Sequence, residues 1–128
     1  MSKIKQFEDM EIWQKATDIA IEIYLISDKG KLKTDFGMKD QIRRAAMSIS
    51  DNIAEGFEYD NNKDFVRFLR YAKGSAGELR NKLYVLYKVE FIEGEFYEGM
   101  RERLIELSKN ISGFMKYLRE FEKKKTNL

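Results

Sequence analysis

The most constraining feature of this sequence is an uninterrupted apolar seam between residues 65 and 86. Its members follow one another at alternating steps of four and three, the spacing that places side chains on one face of an α-helix. They are Phe65, Leu69, Ala72, Ala76, Leu79, Leu83 and Leu86. Similar stripes occur at residues 12–26, 38–57 and 97–121. The chain has no proline, so none of these helices is interrupted by a residue that lacks a backbone donor.

These four stripes predict an all-α protein of one domain, residues 1–128. We expect helices at 8–28, 36–58, 62–91 and 95–123. Gly30 suits the end of the first helix. Candidate N-caps are Asp9 or an earlier residue for the first helix, Thr34 or Asp35 for the second, and Asn62 for the third. The connections are short, with residues 29–34 reading as a polar link, so successive helices should pack as an antiparallel up-and-down four-helix bundle.

The composition excludes several kinds of functional site. The sequence contains neither cysteine nor histidine, which removes disulfides, thiolate or imidazole metal sites and the usual nucleophile–base pairs. Two carboxylates, Glu55 and Glu78, are too few for the di-metal sites that helix bundles hold. We therefore predict no enzyme, no metal and no cofactor. The first residues lack the apolar core of a signal peptide, and no apolar run approaches bilayer length, so we expect a cytoplasmic protein without a membrane partner.

The small segment 74–77 (GSAG) lies in the middle of the third helix. Each glycine there costs roughly 1 kcal/mol relative to alanine. We interpret the segment as a site of close helix packing, against Trp13 or against Ala45 and Ala46.

The third helix also carries more apolar side chains than one core can take. Beyond its seam lie Val66, Val85 and Val89 together with four aromatic residues, Phe68, Tyr71, Tyr84 and Tyr87. A helix that is apolar over most of its circumference is central or forms an interface. We therefore predict a homo-oligomer with those aromatic residues at the interface; the alternative is a monomer with exposed tyrosine and valine, as is common.

Charge is unevenly distributed, although the net charge is only +2. Residues 8–28 contain six acidic residues and one lysine, whereas residues 63–88 contain seven basic residues and two acidic ones. Basic residues interleaved with aromatic ones can follow phosphates and stack bases. The candidate nucleic-acid-binding residues are Arg67, Arg70, Lys73, Arg80 and Lys88, with Lys123, Lys124 and Lys125 at the end of the fourth helix. The alternative is a solvated helix surface.

Several segments in order along the chain resemble a known family. They are residues 7–16 (FEDMEIWQKA), 41–46 (QIRRAA) with Ser48 and Ile49, 52–56 (NIAEG), and 68–79 in the pattern FLxxAxGSxxEL. This looks like the bacterial four-helix-bundle proteins encoded in intervening sequences of large-subunit ribosomal RNA genes. The accessory variability protein of diversity-generating retroelements is similar. After Gly56 the chain departs from the pattern, because residues 57–62 (FEYDNN) contain no basic residue.

The resemblance implies a bundle that assembles into a ring, as a pentamer. For the retroelement proteins it implies a basic surface that engages nucleic acid and a reverse transcriptase. Polar residues of the matching segments, structural or functional, are Arg43, Arg44, Asn52, Glu55, Ser75 and Glu78. Our leading hypothesis is an oligomer that binds RNA or DNA through a basic helix face. The alternative is a scaffold that recruits a partner enzyme and does not contact nucleic acid.

Overall fold

The computed structural model describes residues 4–126, and four long α-helices make up most of them. These are α1 (Glu11–Ser27), α2 (Phe36–Glu58), α3 (Asn62–Lys88) and α4 (Gly94–Thr126). Short 3₁₀ helices at Phe7–Asp9 and Gly30–Thr34 precede α1 and connect it to α2. Residues 4–126 contain no β-strand. The all-α prediction with four helices is confirmed.

The helix ends differ from the prediction by a few residues. α1 begins at Glu11 rather than at residue 8, because Met10 is extended (φ −83°, ψ 129°) and separates α1 from the preceding 3₁₀ helix. Asp9 lies in that 3₁₀ helix and does not cap α1, so this prediction was wrong. α3 ends at Lys88, and α4 already begins at Gly94.

Side-chain caps fix the starts of α2 and α3. The Asp35 carboxylate accepts a hydrogen bond of 3.1 Å from the Met38 backbone N–H, which confirms the predicted cap. The Asn61 side-chain oxygen accepts a bond of 2.8 Å from the Asp64 backbone N–H. The cap of α3 therefore lies one residue before the predicted Asn62.

The link between α1 and α2 contributes to the core, which its polar sequence did not suggest. Gly30 adopts φ +56°, a left-handed conformation that glycine takes without a steric cost. The 3₁₀ helix that follows buries Leu32 completely, whereas Lys31 and Lys33 on either side are exposed. One apolar residue in a basic tripeptide thus anchors the link to the bundle.

The helices pack in sequence order around one core, each antiparallel to the next. Ser48 faces Ser75 and Gly56 faces Phe68, so residue numbers rise along α2 as they fall along α3. α1 adjoins α2 and α4, α3 adjoins the same two helices, and α1 does not adjoin α3 within residues 4–126. α1 and α3 therefore lie on opposite sides of the bundle.

The core consists largely of the stripes that the sequence pattern indicated. All residues of the seam from Phe65 to Leu86 are buried, as are most stripe residues of the other helices. Phe121 is an exception and is half exposed near the end of α4. Among the described residues, no buried side-chain nitrogen or oxygen lacks a hydrogen-bond partner, as expected for a well-formed interior. No helix in residues 4–126 is both long and apolar enough to cross a bilayer.

α2 and α3 come into close contact at Gly56. A Cβ atom at this position would lie 2.7 Å from Cβ of Phe68 and 2.9 Å from Cδ1 of Phe65. Both distances are shorter than carbon atoms tolerate, and the first involves an atom fixed to the backbone. Gly56, part of the segment 52–56 that resembles the family, therefore determines the distance between α2 and α3 at this contact.

The glycines of segment 74–77 do not have the role predicted for them. Gly74 and Gly77 are exposed, and a Cβ at either position would meet no atom within 4 Å. Only the two residues between them pack against the bundle: Ala76 is fully buried, and Ser75 bonds to Ser48 of α2. The glycines instead leave a strip of bare backbone on the outer surface of α3.

These contacts predict opposite effects for the same substitution at two helical glycines. Gly56→Ala should destabilise the protein by about 1–3 kcal/mol, since the extra methyl overpacks the α2–α3 contact. Gly113→Ala is the matched control in α4, where a Cβ meets nothing within 4 Å, and it should stabilise by up to about 1 kcal/mol. Urea unfolding followed by circular dichroism measures both changes. Equal effects of the two substitutions would contradict this account of Gly56.

Candidate nucleic-acid interface

Basic side chains line the side of the bundle between α3 and α4. A depression of about 580 Å³ lies between the start of α3 and the end of α4. Its basic lining residues are Lys63, Arg67, Arg70, Arg119 and Lys123. Its acidic lining residues are Asp64 and Glu122. The lining thus has an excess of three positive charges.

A second depression, of about 270 Å³, continues along the same two helices. Lys73 and Arg80 of α3 and Lys109 of α4 line it, together with Ser108, Ser112 and Ile105. It has no acidic lining residue. The two depressions and their basic residues are called the α3–α4 groove below.

The α3–α4 groove is long enough to follow a strand of nucleic acid. From Lys63 to Arg80 it extends about 25 Å along α3, at the α-helical rise of about 1.5 Å per residue. A stacked strand advances about 3.4 Å per phosphate, so roughly seven phosphates fit along this length. Serine hydroxyls among the basic side chains add uncharged hydrogen-bond donors to the groove.

Arg67 is held in place by its neighbours at the edge of this groove. Its guanidinium donates to the Asp64 carboxylate at 3.1 Å and lies 4.6 Å from the ring centroid of Phe68. Asp64 also accepts a bond of 2.8 Å from the Asn61 side chain. The bonds from Asn61 and Arg67 hold the pKa of the Asp64 carboxyl below its ordinary value. Asp64 therefore offsets part of the charge of Arg67.

The structure brings together some of the predicted basic residues and separates others. Arg67, Arg70 and Lys123 line the first depression, and Lys73 and Arg80 line the second. Lys88 lies at the end of α3, its Nζ atom 5.9 Å from the ring centroid of Tyr87 and outside both depressions.

Lys124 and Lys125 are exposed in the last turn of α4, next to Lys123 in sequence, and line neither depression. Of the three lysines that end α4, only Lys123 therefore belongs to the groove.

Of the basic residues that α4 contributes to the groove, the prediction included only Lys123. Lys109 and Arg119 line the groove but were not among the candidates, and neither was Lys63. A signal was available, because Lys109, Lys116, Arg119 and Lys123 recur at steps of seven, three and four, which is the spacing of one helix face.

Among the polar residues of the family motif, Arg43 has a structural role. Its Nε donates to the Ser27 hydroxyl at 2.7 Å and a terminal nitrogen donates to the Tyr24 carbonyl at 3.3 Å. The guanidinium also lies 4.3 Å from the Tyr24 ring centroid and 3.4 Å from Asp28. Arg43 thus ties α2 to the C-terminal end of α1.

Asn52 and Ser75 belong to a hydrogen-bonded link between α2 and α3. The Asn52 amide donates to the carbonyl and the hydroxyl of Ser48, at 2.7 and 3.1 Å. The Ser48 hydroxyl lies 2.8 Å from that of Ser75. These motif residues therefore hold the same pair of helices that Gly56 brings together.

The remaining motif residues lie on the surface. Arg44 pairs with Asp40 one turn earlier in α2, at 2.8 Å. Glu78 pairs with Lys82 of its own helix at 3.7 Å, rather than with an arginine across the bundle. Glu55 is exposed and makes no hydrogen bond or ion pair with any residue from 4 to 126.

The four predicted interface residues have different environments. Phe68 is only 7% exposed, since it packs against Tyr59, Tyr71 and the bare backbone at Gly56. Tyr87 is half-buried and stacks on Tyr97, with 4.9 Å between ring centroids. Tyr71 and Tyr84 are about half exposed. Only these two offer substantial apolar surface to a partner.

Within residues 4–126 no group of three or more acidic side chains is placed to hold a metal ion. The groove instead presents cationic and hydroxyl groups on a helical scaffold. Fold and groove together define a small four-helix protein with a basic surface groove.

The chain belongs to the 23S rRNA-intervening sequence protein family, whose sequence profile matches residues 8–113. The resemblance to proteins of ribosomal RNA intervening sequences is thereby confirmed. Comparison with curated protein sequences finds no match.

A solved structure supports the same assignment. It is a protein of unknown function from the S23 ribosomal protein family of Bacteroides thetaiotaomicron, 28% identical to this chain with a TM-score of 0.74. The alignment covers 82% of this chain and 98% of the other.

The lowered pKa of Asp64 predicts how its contribution to stability depends on pH. Folding favours the ionised carboxylate, so the contribution is complete above the ordinary value of 3.8 and is lost as the pH falls through the lower folded-state pKa. Asp64→Asn should therefore destabilise the protein at pH 6 and have a smaller effect near pH 2. Urea unfolding at both pH values tests this, and an equal difference at both would contradict it.

Proposed function

We propose that this protein is a cytoplasmic, non-enzymatic oligomer that holds single-stranded RNA or DNA in the α3–α4 groove. The observation that carries the proposal is that basic side chains from two helices line two successive depressions, one of which has no acidic residue. The helices fix the backbone positions from which these side chains extend, and phosphate contacts supply most of the sequence-independent affinity for nucleic acid.

Two further features support this proposal. The net charge of +2 hides an uneven distribution, since residues 8–28 carry six acidic residues and one basic one, whereas residues 63–88 carry seven basic and two acidic ones. α1, within the first segment, lies on the opposite side of the bundle from α3, which contains the second. The family takes its description from an intervening sequence of 23S ribosomal RNA. An RNA partner fits that description.

The proposed assembly is a ring of several copies, five by analogy with the resemblance described above. Repeating the α3–α4 groove around a ring would multiply the phosphate contacts, so weak binding by one groove becomes tight binding by the assembly. In a setting like that of the retroelement accessory proteins, a reverse transcriptase would be the protein partner.

A second candidate is a protein-interaction scaffold that recruits a partner enzyme. An apolar depression of about 360 Å³ at one end of the bundle favours it. Its lining includes Ile4, Phe57, Phe65, Phe114 and Phe121, and aromatic residues are enriched at protein interfaces. This candidate requires no nucleic acid, so the binding experiment separates the two.

Charge reversal in the groove tests the leading proposal. The variant Lys73→Glu, Lys109→Glu and Arg119→Glu changes both depressions. It should weaken binding of a fluorescent single-stranded RNA at least tenfold. The slope of log affinity against log salt should become shallower by about 2, at about 0.7 per lost phosphate contact. Fluorescence anisotropy at several salt concentrations measures both quantities.

A matched control separates groove contacts from net charge. Lys29→Glu, Lys31→Glu and Lys33→Glu make the same change in charge on the exposed link between α1 and α2. This variant should bind nearly as the wild type does. Equal weakening by both triple variants, or wild-type binding that ignores salt, would overturn nucleic-acid binding in the groove and favour the scaffold.

Asp64→Asn gives a change in the opposite direction. Removing this carboxylate releases Arg67 from its ion pair and removes one negative charge from the first depression, which raises the net charge of its lining by one. We expect the affinity for the same RNA to rise severalfold and the salt dependence to steepen by about 0.7. Unchanged or weaker binding in the anisotropy assay would mean that Arg67 does not contact the strand.

A further inference from the structure

The outward side of α1 is apolar in its second half and acidic in its first half. Ile21 and Leu25, four residues apart on one helix face, are 57% and 61% exposed. The exposed charged side chains on the same side are Glu11 and Asp18. Lys15, the one basic residue of α1, pairs with Glu11 at 3.2 Å and with Glu106 of α4 at 3.0 Å, and it donates to Asn110 of α4. We call Glu11, Asp18, Ile21 and Leu25 the outer face of α1.

The outward side of α3 has the complementary arrangement. Lys63, Arg67, Gly74, Asn81 and Val85 recur at steps of four, seven, seven and four and are all exposed. This stripe, the outer face of α3, is basic at its start and carries exposed Val85 near its end. At Gly74 it offers bare backbone with open space beyond it.

The two faces match in height when two copies stand side by side. Arg43 of α2 lies level with Tyr24 and Ser27 of α1, which it contacts. Ser48, five residues further along α2, lies level with Ser75 of α3. Neighbouring helices are antiparallel and rise equally per residue, so these two pairings can be combined. A residue of α1 then lies level with the α3 residue whose number is about 54 higher.

This relation places opposite features level with each other. Ile21 lies at the height of residue 75, next to the open space at Gly74. Glu11 lies at the height of residue 65, between Lys63 and Arg67 of the outer face of α3, and Asp18 lies at the height of residue 72, five residues beyond Arg67. A projecting side chain therefore meets a gap, and Glu11 meets basic residues.

We infer that the outer face of α1 in one copy docks against the outer face of α3 in a second copy, with the two helices parallel. This inference rests on the self-association proposed above and specifies the two surfaces that meet. Because α1 and α3 lie on opposite sides of the bundle, each copy keeps one free face, and repeated docking closes a ring or extends a filament. Pairing of like faces would instead bring acid to acid and base to base.

Complementary variants test this arrangement directly. Variant A carries Ile21→Lys and Leu25→Lys on the outer face of α1. Variant B carries Gly74→Glu and Val85→Glu on the outer face of α3. Each alone should be monomeric by size-exclusion chromatography with light scattering, near the chain mass of 15.2 kDa. Mixed together, they should associate into at least a dimer, because A keeps a native α3 face and B a native α1 face.

All four substitutions are at exposed positions, and circular dichroism should show that both variants stay helical. The matched control is Gly99→Glu with Gly113→Glu, two exposed helical glycines of α4 with open space around them. It should keep the mass of the wild type. A wild-type mass for A or for B, or a mixture that stays monomeric, would overturn the docking of α1 on α3.

The outcomes separate this inference from the proposed function. If the wild type is oligomeric and variant A keeps the wild-type mass, self-association uses other faces, and only the docking inference fails. A monomeric wild type removes both the docking and the proposed self-association. RNA binding is measured separately, with the variant changed at Lys73, Lys109 and Arg119, none of which belongs to either outer face; Lys63 and Arg67 belong to both the groove and the outer face of α3.

Discussion

The close contact between α2 and α3 is the constraint on which the rest of the bundle depends. Gly56 removes the side chain that would hold the helices apart, and the bond between Ser48 and Ser75 fixes their register. Asn52 orients Ser48 for that bond. The core seam of α3 faces inward only in this register. The same contact therefore determines which side of α3 faces α4 and which side faces outward. The groove is thus positioned by residues on the opposite edge of α3.

The fold was predictable from the sequence because helix periodicity is a local property. Each stripe could be recognised without knowing which helix it faced, and the cap at Asp35 needed only its own turn. The role of Gly74 could not be derived in that way. Whether a glycine lies inside or outside depends on where the seam points after packing, and its neighbours Ser75 and Ala76 do face inward.

The candidate site was predictable in part for the same reason. α3 was recognised as basic because its charges are dense along the chain, whereas the charges of α4 are spread among acidic residues. Their alignment with α3 depends on the antiparallel register, which no local pattern specifies. Phe68 was misjudged as surface because its burial depends on the missing side chain at Gly56, one helix away.

The buried Leu32 has a consequence for how the chain can be cut. Polar connections are usually the first segments that proteases cleave and the places where new termini are tolerated. Here cleavage between α1 and α2 would require Leu32 to leave the core, so this link should resist trypsin despite its lysines. The turn between α2 and α3 buries no side chain: Tyr59, Asp60 and Asn61 are all exposed, although Tyr59 packs on the Phe68 ring and Asn61 caps α3. It is the better place to open the chain for a circular permutation that keeps the bundle intact.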